Sequence, residues 1–402
     1  MLRRILAMLA VAGTLLAQRS PLDAAWDLAA KGQPEKAADL LEELIRKEPG
    51  NGDARLLLGS LLAVQGKVAE AVAQLKEGVR LLPNSAEGHN ALGEALNSAK
   101  DATHAREEFE KAVQLDPKLA PAQVNLGMVL VQAGEIELAA KHLDRAIELM
   151  GPIEDAARPH YMRAEIYTGV GETEKAAAEL NTAVQLKPDF AEAWSDLGQA
   201  RKTLLDDAGA LAAFERAVAL DPQNAISQAR LGGEYLHQKQ PHRAAIHLQK
   251  AAELAPGDQE SLFKLQLALR EDGQEEQARA VKARLAEVLR KRDETRERAA
   301  AAKRFNNEGA NLEKSGDLRG AVEKYRAAHE INPEQSVFHV NLAIALLRTG
   351  RWKEGLAELH KCLEREPGNL KLMAVWDDAI RQAPPGSWVE DAPKPAANSP
   401  HP

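Results

Sequence analysis

The chain has 402 residues and a formal net charge of −8, with 45% hydrophobic but only 4% aromatic residues. A protein with a pI near 5.9 lacks the basic face that nucleic-acid binding requires, so nucleic acid is not an expected partner. Cys362 is the only cysteine, which excludes an internal disulfide. Its place in the pattern described below predicts packing in the core, and a reactive thiol is the alternative.

Residues 1–17 have the form of a secretory signal peptide. Arg3 and Arg4 precede an apolar run that begins at Ile5, and Ala17 stands before the polar Gln18. The run is shorter than the ~20 residues that a spanning helix needs. We therefore expect export to the periplasm or out of the cell, with no stable membrane span after cleavage. An uncleaved N-terminal anchor, or an ordinary buried helix, is the alternative.

Beyond this segment one pattern recurs every 34 residues. It is clearest in residues 191–224, where Gly198 is followed by Ala210, Phe214 and Pro222. Apolar residues three or four apart give each half of this stretch one apolar stripe, which predicts two amphipathic helices. Pro222 is expected to end the second helix because it lacks the N–H that the next turn would need. A single pair cannot bury its own stripe, so the pattern predicts stacked pairs.

The pattern resembles the tetratricopeptide repeat, with Trp194, Leu197 and Ala217 at the expected places and Arg201 where a tyrosine is usual. The resemblance implies an all-α fold, a right-handed superhelical solenoid of helix-turn-helix repeats. It also implies that the first helix of each repeat lines a concave surface, on which extended peptides or partner segments bind.

Ten repeats are predicted, and three extra residues, 154–156, separate the fourth from the fifth. The helix that begins near Glu275 is expected to continue through a charged segment, since residues 274–308 contain neither glycine nor proline. The predicted boundaries are a signal peptide at 1–17, repeats one to four at 18–153, repeats five to eight at 157–292, a helical spacer at 293–301, repeats nine and ten at 302–369, a capping helix at 370–382 and a Pro-rich disordered tail at 383–402.

The sequence gives no sign of catalytic chemistry. It contains no G-x-S-x-G, H-E-x-x-H, G-x-G-x-x-G or Walker-type loop, so we expect neither an enzyme nor a metal or cofactor site. The densest histidine group is His237, His242 and His247. Spacings of five residues, with a helix break between them, are expected to direct these side chains to different faces, which favours exposed histidines over a metal site.

Carried onto this chain, the resemblance predicts an apolar concave face in three places. Exposed apolar patches of this kind commonly mark interaction sites. The alternative is that the chain's own cap or tail covers some of them, above all in repeat ten. The predicted partner-binding residues are Val124, Met128 and Val131 in repeat four, Ile226, Phe263 and Leu267 in repeats seven and eight, and Val337, Val340, Ile344 and Leu347 in repeat ten.

One ligand of the family is not expected. Chaperone-binding members hold a C-terminal carboxylate with Lys, Asn and Arg side chains on three successive first helices. Asn125 and Arg158 fit two of these places, but Glu94 would repel the carboxylate and Met162 stands in place of a cation. The clamp is therefore incomplete.

Together these features predict an exported, non-catalytic scaffold that binds a protein or peptide partner on its concave face and serves envelope assembly or secretion. Two alternatives stay open, because the fold supports many functions. One is an accessory or regulatory subunit of an envelope enzyme complex. The other is a structural protein that self-associates through its apolar faces or its spacer helix.

Overall fold

The computed structural model describes residues 20–366 and 369–387. The predicted signal peptide, Pro367 and the tail from residue 388 lie outside the described residues. Within the described part the chain forms α-helices and one short 3-10 turn, without strands, and consecutive helices pack in pairs. The prediction of an all-α solenoid is confirmed, whereas the number of repeats and their boundaries stay predictions.

The helices are short and similar in length, with one exception, α16. In chain order they are α1 Pro21–Ala30, α2 Pro34–Lys47, α3 Gly52–Val64, α4 Val68–Leu81, α5 Ala86–Ser98, α6 Ala102–Leu115, α7 Ala120–Gln132, α8 Ile136–Met150, α9 Ala157–Gly169, α10 Thr173–Leu186, α11 Ala191–Thr203, α12 Asp207–Leu220, α13 Ala225–His237, α14 Pro241–Leu254, α15 Gln259–Glu271, α16 Glu275–Lys314, α17 Leu318–Ile331, α18 Ser336–Arg348, α19 Trp352–Arg365 and α20 Leu370–Gln382. The 3-10 turn Glu154–Ala156 lies between α8 and α9.

The chain divides into two compact units. The first comprises residues up to 256 together with 267–273, and the second comprises residues 257–266 together with those from 274 onward. In the first unit α1 packs on α2, α3 on α4, and so on to α13 on α14. In the second unit α16 packs on α17, α18 on α19, and α19 on α20.

Helix α16 has 40 residues, which corresponds to about 60 Å of helix. Its buried residues, Ala278, Ala302 and Gly309, lie toward its two ends. The charged middle contains ion pairs such as Arg290 with Glu287, 2.7 Å apart. Such exposed pairs stabilise a helix by only ~0.2–0.5 kcal/mol each. The predicted spacer, 293–301, falls within this uninterrupted helix, and its role as a spacer stays a prediction.

Within a pair, the two helices approach closely at a glycine of the first helix. A Cβ added to Gly198 would lie 2.6 Å from ring atoms of the buried Phe214, so only glycine fits without moving the ring. The same pairing, with the large side chain 16 residues after the glycine, recurs along the chain: Gly59 with Leu75, Gly93 with Phe109, Gly127 with Leu143, Gly232 with Leu248 and Gly309 with Tyr325.

Between pairs, one recurring contact is a hydrogen bond to the carbonyl oxygen of the proline that follows the second helix. In six places among the described residues, the side chain six residues after this proline lies in the next helix and hydrogen-bonds to the proline carbonyl oxygen. We call this a proline clasp. The clasps join Arg55 to Pro49, His89 to Pro83, Gln123 to Pro117, Trp194 to Pro188, Gln228 to Pro222 and His339 to Pro333, at 2.5–3.1 Å.

Most clasp side chains also contact a polar side chain 19 residues further on, in the second helix of their own pair. A clasp residue therefore lies on the first helix of its pair and bonds both to the turn that ends the preceding pair and to the second helix of its own pair. The contacts are Arg55 with Gln74, His89 with Glu108, Gln123 with His142, Gln228 with His247 and His339 with Glu358, at 2.5–3.2 Å.

Replacing Gln228 with leucine should test the clasp. The substitution leaves the Pro222 carbonyl and His247 Nδ1 without their partner, 2.9 and 2.8 Å away in the native chain. An unmet buried polar group costs about 1–3 kcal/mol, so we expect Gln228→Leu to lower the free energy of unfolding in urea by about that amount.

The matched control is Gln185→Leu, since Gln185 is exposed on α10. A surface change of this kind should stay within about 0.5 kcal/mol. Equal stability of the two variants would show that the clasp does not hold neighbouring pairs together.

Candidate functional site

In the first unit, the first helices of successive pairs contact one another through polar side chains. Asn125 on α7 donates to Asn90 Oδ1 on α5 at 2.9 Å, and Tyr161 on α9 donates its hydroxyl to Asp196 on α11 at 2.8 Å. On α13, Arg230 donates to the other oxygen of Asp196 at 2.6 Å. The first helices therefore form one surface, which we call the first-helix face.

Negative charge is concentrated on this face around Tyr161. Partial burial of the ring raises the pKa of Tyr161, and the charges of Asp196, Glu165 and Glu192 raise it further. The pKa of Glu165 is also raised, first by partial loss of water around its carboxylate and then by the charge of Asp196, although Arg158 opposes the shift and the residue as a whole stays exposed to solvent. Glu165 and Asp196 thus repel each other, and the site would gain from an additional positive charge.

Of the predicted binding residues, the group in repeat four lies largely in the core. Val124 is only 9% exposed and belongs to the buried cluster of the first unit. Met128 and Val131 are partly buried and pack against that cluster. Val124 therefore offers almost no surface to a partner, because helix α7 is apolar on most of its sides and buries this face as well.

The other predicted residues range from exposed to partly covered. Ile226 is 62% exposed, Phe263 58% and Val337 46%. Leu267 and Ile344 are partly buried. Their assignment to partner binding stays a prediction.

The capping helix contributes to the covering of repeat ten. Val340 and Leu347 pack against a buried cluster that includes Trp376 and Ile380 of α20. These two side chains therefore pack partly against the chain's own core, and their assignment to partner binding stays a prediction.

The partial carboxylate clamp does not form a free site. The amide nitrogen of Asn125 donates to Asn90 and to Glu94 at 2.9 Å each, so it is already engaged within the chain. Met162 is buried. Arg158 lies near the sulfur of Met128, 4.0 Å from its guanidinium nitrogen.

The histidines of the second half of the first unit have separate partners. His242 Nδ1 lies 3.0 Å from Asp272, and His247 Nδ1 lies 2.8 Å from Gln228. His237 lies beside Asp207 and Glu234 and is exposed. The three side chains are therefore not brought together.

Cys362 packs in the core of the second unit. Burial, together with the negative charge of Glu358, raises the pKa of its thiol to about 11. A thiol in this state is protonated at neutral pH and is a weak nucleophile, which agrees with a packing role.

None of the described helices combines the length and the apolar character that crossing a membrane demands.

The polar contacts around Tyr161, Asp196 and Arg230 were not predicted from the sequence. Their signal is a spacing of 34 or 35 residues between polar side chains, one repeat or one repeat plus one residue. That spacing places two side chains opposite each other on adjacent first helices. Composition does not reveal it, because the residue types differ from one contact to the next.

Family models match the chain in several places. One model, described as a tetratricopeptide repeat, matches residues 22–86, 65–120 and 196–259. A second model with the same description matches residues 312–374. A third, described as a TPR repeat, matches residues 164–204. Together they cover more than half of the chain. Among curated proteins none is a significant match.

Solved structures similar to the chain include several repeat proteins. PilF of Pseudomonas aeruginosa is 20% identical with a TM-score of 0.49, over 52% of this chain and 94% of that one. A tetratricopeptide repeat protein of Parabacteroides merdae is 18% identical with a TM-score of 0.46, over 62% and 97%. YrrB, described as having an unusual peptide-binding site, is 21% identical with a TM-score of 0.40, over 47% and 96%.

The repulsion between Glu165 and Asp196 predicts a pH-dependent stability. Because the folded pKa of Glu165 is raised, its ionised form destabilises the fold at neutral pH, and this penalty disappears as the pH falls below the ordinary glutamate value of 4.5. Glu165→Gln should therefore raise the midpoint of thermal unfolding at pH 7, and the gain should vanish below about pH 4.

Thermal melts of the wild type and the variant across this pH range give the measurement. Glu107→Gln, an exposed change on α6, is the matched control and should leave the midpoint nearly unchanged. A lower midpoint for Glu165→Gln at pH 7 would contradict the repulsion.

Proposed function

The chain is a tetratricopeptide repeat protein, and we propose that it is a non-catalytic scaffold that holds a segment of a partner protein on its first-helix face. Repeat arrays of this kind present extended surfaces for binding other proteins. Because repeats of this family generally serve as interaction scaffolds, we assign any associated chemistry to the partner.

The observation that carries this proposal is the exposed Ile226. It lies in the first turn of α13, four residues before Arg230, so the two side chains share one face of the helix. Arg230 in turn bonds to Asp196. An apolar side chain that is 62% exposed thus stands beside the polar contacts and the negative charge around Tyr161.

This arrangement favours a partner segment with an apolar side chain next to a lysine or arginine. The apolar side chain would cover Ile226 and remove its surface from water. The cation would approach Glu165 and Asp196 and relieve their mutual repulsion. Apolar burial then supplies affinity, and charge supplies selectivity.

The proposed place of action is outside the cytoplasm, in the periplasm or beyond the cell, in envelope assembly or secretion. The support is the signal-like sequence of residues 1–17. An uncleaved N-terminal anchor would place the same scaffold at the membrane surface.

Sequencing the N-terminus of the protein purified from its native cells tests export. We expect a mature chain that begins near Gln18 and is recovered from the periplasm or the medium. Recovery of Met1 from the cytoplasm would contradict export, and Met1 in the membrane fraction would favour the anchored form.

A pair of isoleucine variants tests the binding surface. Ile226→Ser removes the exposed apolar group of α13, whereas Ile246→Ser removes an equally exposed one, 57% accessible, from the second helix α14 of the same pair. If Ile226 meets the partner, its loss should weaken binding by about tenfold or more, since a buried isoleucine contributes ~1.5–3 kcal/mol.

The two variants and the wild type are used as baits in affinity capture from envelope extract, and captured proteins are quantified by mass spectrometry. A partner lost with Ile226→Ser but kept with Ile246→Ser supports the first-helix face. Equal capture by both variants would move the site elsewhere. Concentration-dependent sedimentation of the chain alone would instead favour self-association, and an enzyme activity among the captured proteins would favour the accessory-subunit alternative.

A further inference from the structure

Two histidines and a glutamate meet in the second unit. His329 lies on α17, His339 on α18 and Glu358 on α19, and each offers one ligand atom within 4.8 Å of the others. The two imidazole rings are edge to face, with centroids 3.9 Å apart. All three side chains are wholly or partly buried.

Two of these residues are explained by the proline clasp, but His329 is not. His339 is the clasp residue of Pro333, and Glu358 is its partner 19 residues further on, as Glu108 is for His89. The position of His329 is four residues before the clasp proline. In the other five clasps this position is aliphatic, occupied by Ile45, Val79, Val113, Val184 and Val218.

The histidine at this position carries an unmet hydrogen-bonding group. His329 Nδ1 is buried and has no hydrogen-bond partner among the residues that the structure describes. A buried polar atom without a partner destabilises the fold, and an aliphatic residue would avoid this cost.

The hydrogen bonds of His339 also leave a place for a cation. Its Nε2 lies 2.5 Å from the Pro333 carbonyl, which can only accept, so we assign the ring proton to Nε2. Its Nδ1 faces Glu358 Oε2 at 3.2 Å. Two acceptors in this position repel each other unless a proton or a metal ion lies between them. A histidine that gives one N–H to a backbone carbonyl and keeps its other nitrogen free is the usual form of a metal-bound histidine.

We propose that His329, His339 and Glu358 bind one divalent transition-metal ion, with Zn²⁺ as the best match. Two imidazoles and a carboxylate are ligands that zinc prefers, and three protein ligands leave a fourth position for water. The ion accepts the lone pair of His329 Nδ1 and separates His339 Nδ1 from the carboxylate.

Two positive side chains lie near the cluster, but they contact atoms other than the proposed ligand atoms. Arg365 lies 3.2 Å from His339 Nε2 and donates to the Pro333 carbonyl at 2.8 Å. Lys361 bonds to Glu358 Oε1 at 2.9 Å, the oxygen that does not face His339. Both side chains are largely exposed, so they can move toward solvent when the ion binds.

A second cluster, Asp207, Glu234 and His237, is a poorer candidate. The ammonium of Lys202 already lies 2.9 Å from Glu234 and supplies the positive charge that a metal ion would bring. His237 is exposed there, and no unmet atom marks the site among the described residues. This cluster serves as an internal comparison.

A metal ion at the proposed site would join three helices, because each ligand comes from a different one. It would stabilise the chain by RT ln(1 + [Zn²⁺]/Kd), since the ligand set exists only in the folded state. The expected effect is a rise in the unfolding temperature of the second unit when zinc is added.

Calorimetric titration of the tag-free, chelator-treated whole chain with zinc chloride tests the site. We expect one ion per chain for the wild type. His329→Val should weaken binding roughly tenfold or more, since even indirect supporting groups change metal affinity by 10- to 100-fold. Valine is native at this position in four of the five clasps above, so the variant is expected to fold, and circular dichroism verifies it. Glu358→Gln provides a second variant with the same expected loss.

Two controls should keep the wild-type affinity. His89→Gln alters a clasp histidine that has Val79 instead of a second histidine, and glutamine is native at this place in Gln123 and Gln228. His237→Gln removes the histidine of the comparison cluster. Cobalt substitution of the wild type should add the visible absorption of a four-coordinate site, and His329→Val should lose it.

Three results would overturn the proposal. The first is a wild-type chain that binds no zinc, which leaves a buried water or a protonated His339 as the partner of these atoms. The second is unchanged binding by both His329→Val and Glu358→Gln. The third is binding that His237→Gln abolishes.

Discussion

The structure depends on how the chain forms hydrogen bonds where a second helix ends. A helix leaves its last carbonyl groups without intrahelical partners, and a proline that follows it prevents the chain from continuing as helix. In this protein the proline's own carbonyl receives a hydrogen bond from the first helix of the next pair, as Gln228 gives to Pro222. The same proline therefore ends one helix and, through its carbonyl oxygen, holds the first helix of the next pair. Within a pair, the close approach of a glycine to a large side chain, such as Gly198 to Phe214, completes the packing.

Much of the fold could be predicted because its signals are local and periodic. The apolar stripes, the proline after most second helices and the small residue at Gly198 recur at intervals of about 34 residues, and each has a direct structural meaning. The clasp was not predicted, because the residues that form it differ in hydrophobicity and in charge. They are arginine, histidine, glutamine and tryptophan. They share only an N–H that can donate. The useful signal was the constant spacing of six residues from the proline, which becomes visible once the carbonyl is recognised as the acceptor.

The candidate binding face was harder to predict than the fold. The resemblance to the repeat family placed Ile226 on the surface of a first helix, and its side chain is exposed. It failed to separate surface from core at Val124, because α7 is apolar on most sides and a stripe cannot then be assigned to one neighbour. His329 was missed for the opposite reason. A repeat pattern records what most repeats share, so it does not show a single polar residue at a position that is otherwise aliphatic. Such an exception to the pattern is the residue that indicates chemistry.

The insertion between α8 and α9 has a consequence for how the array unfolds. His160 keeps its contact with Glu179, 2.6 Å away, but the residue six positions before it is Glu154, so the usual clasp cannot form at this junction. In a one-dimensional chain of coupled units, cooperativity is transmitted only through nearest-neighbour interfaces. The free-energy cost of a boundary between folded and unfolded segments is lowest at the weakest interface. We therefore expect the helices before Glu154 and those after it in the first unit to separate at this junction when the array unfolds in parts.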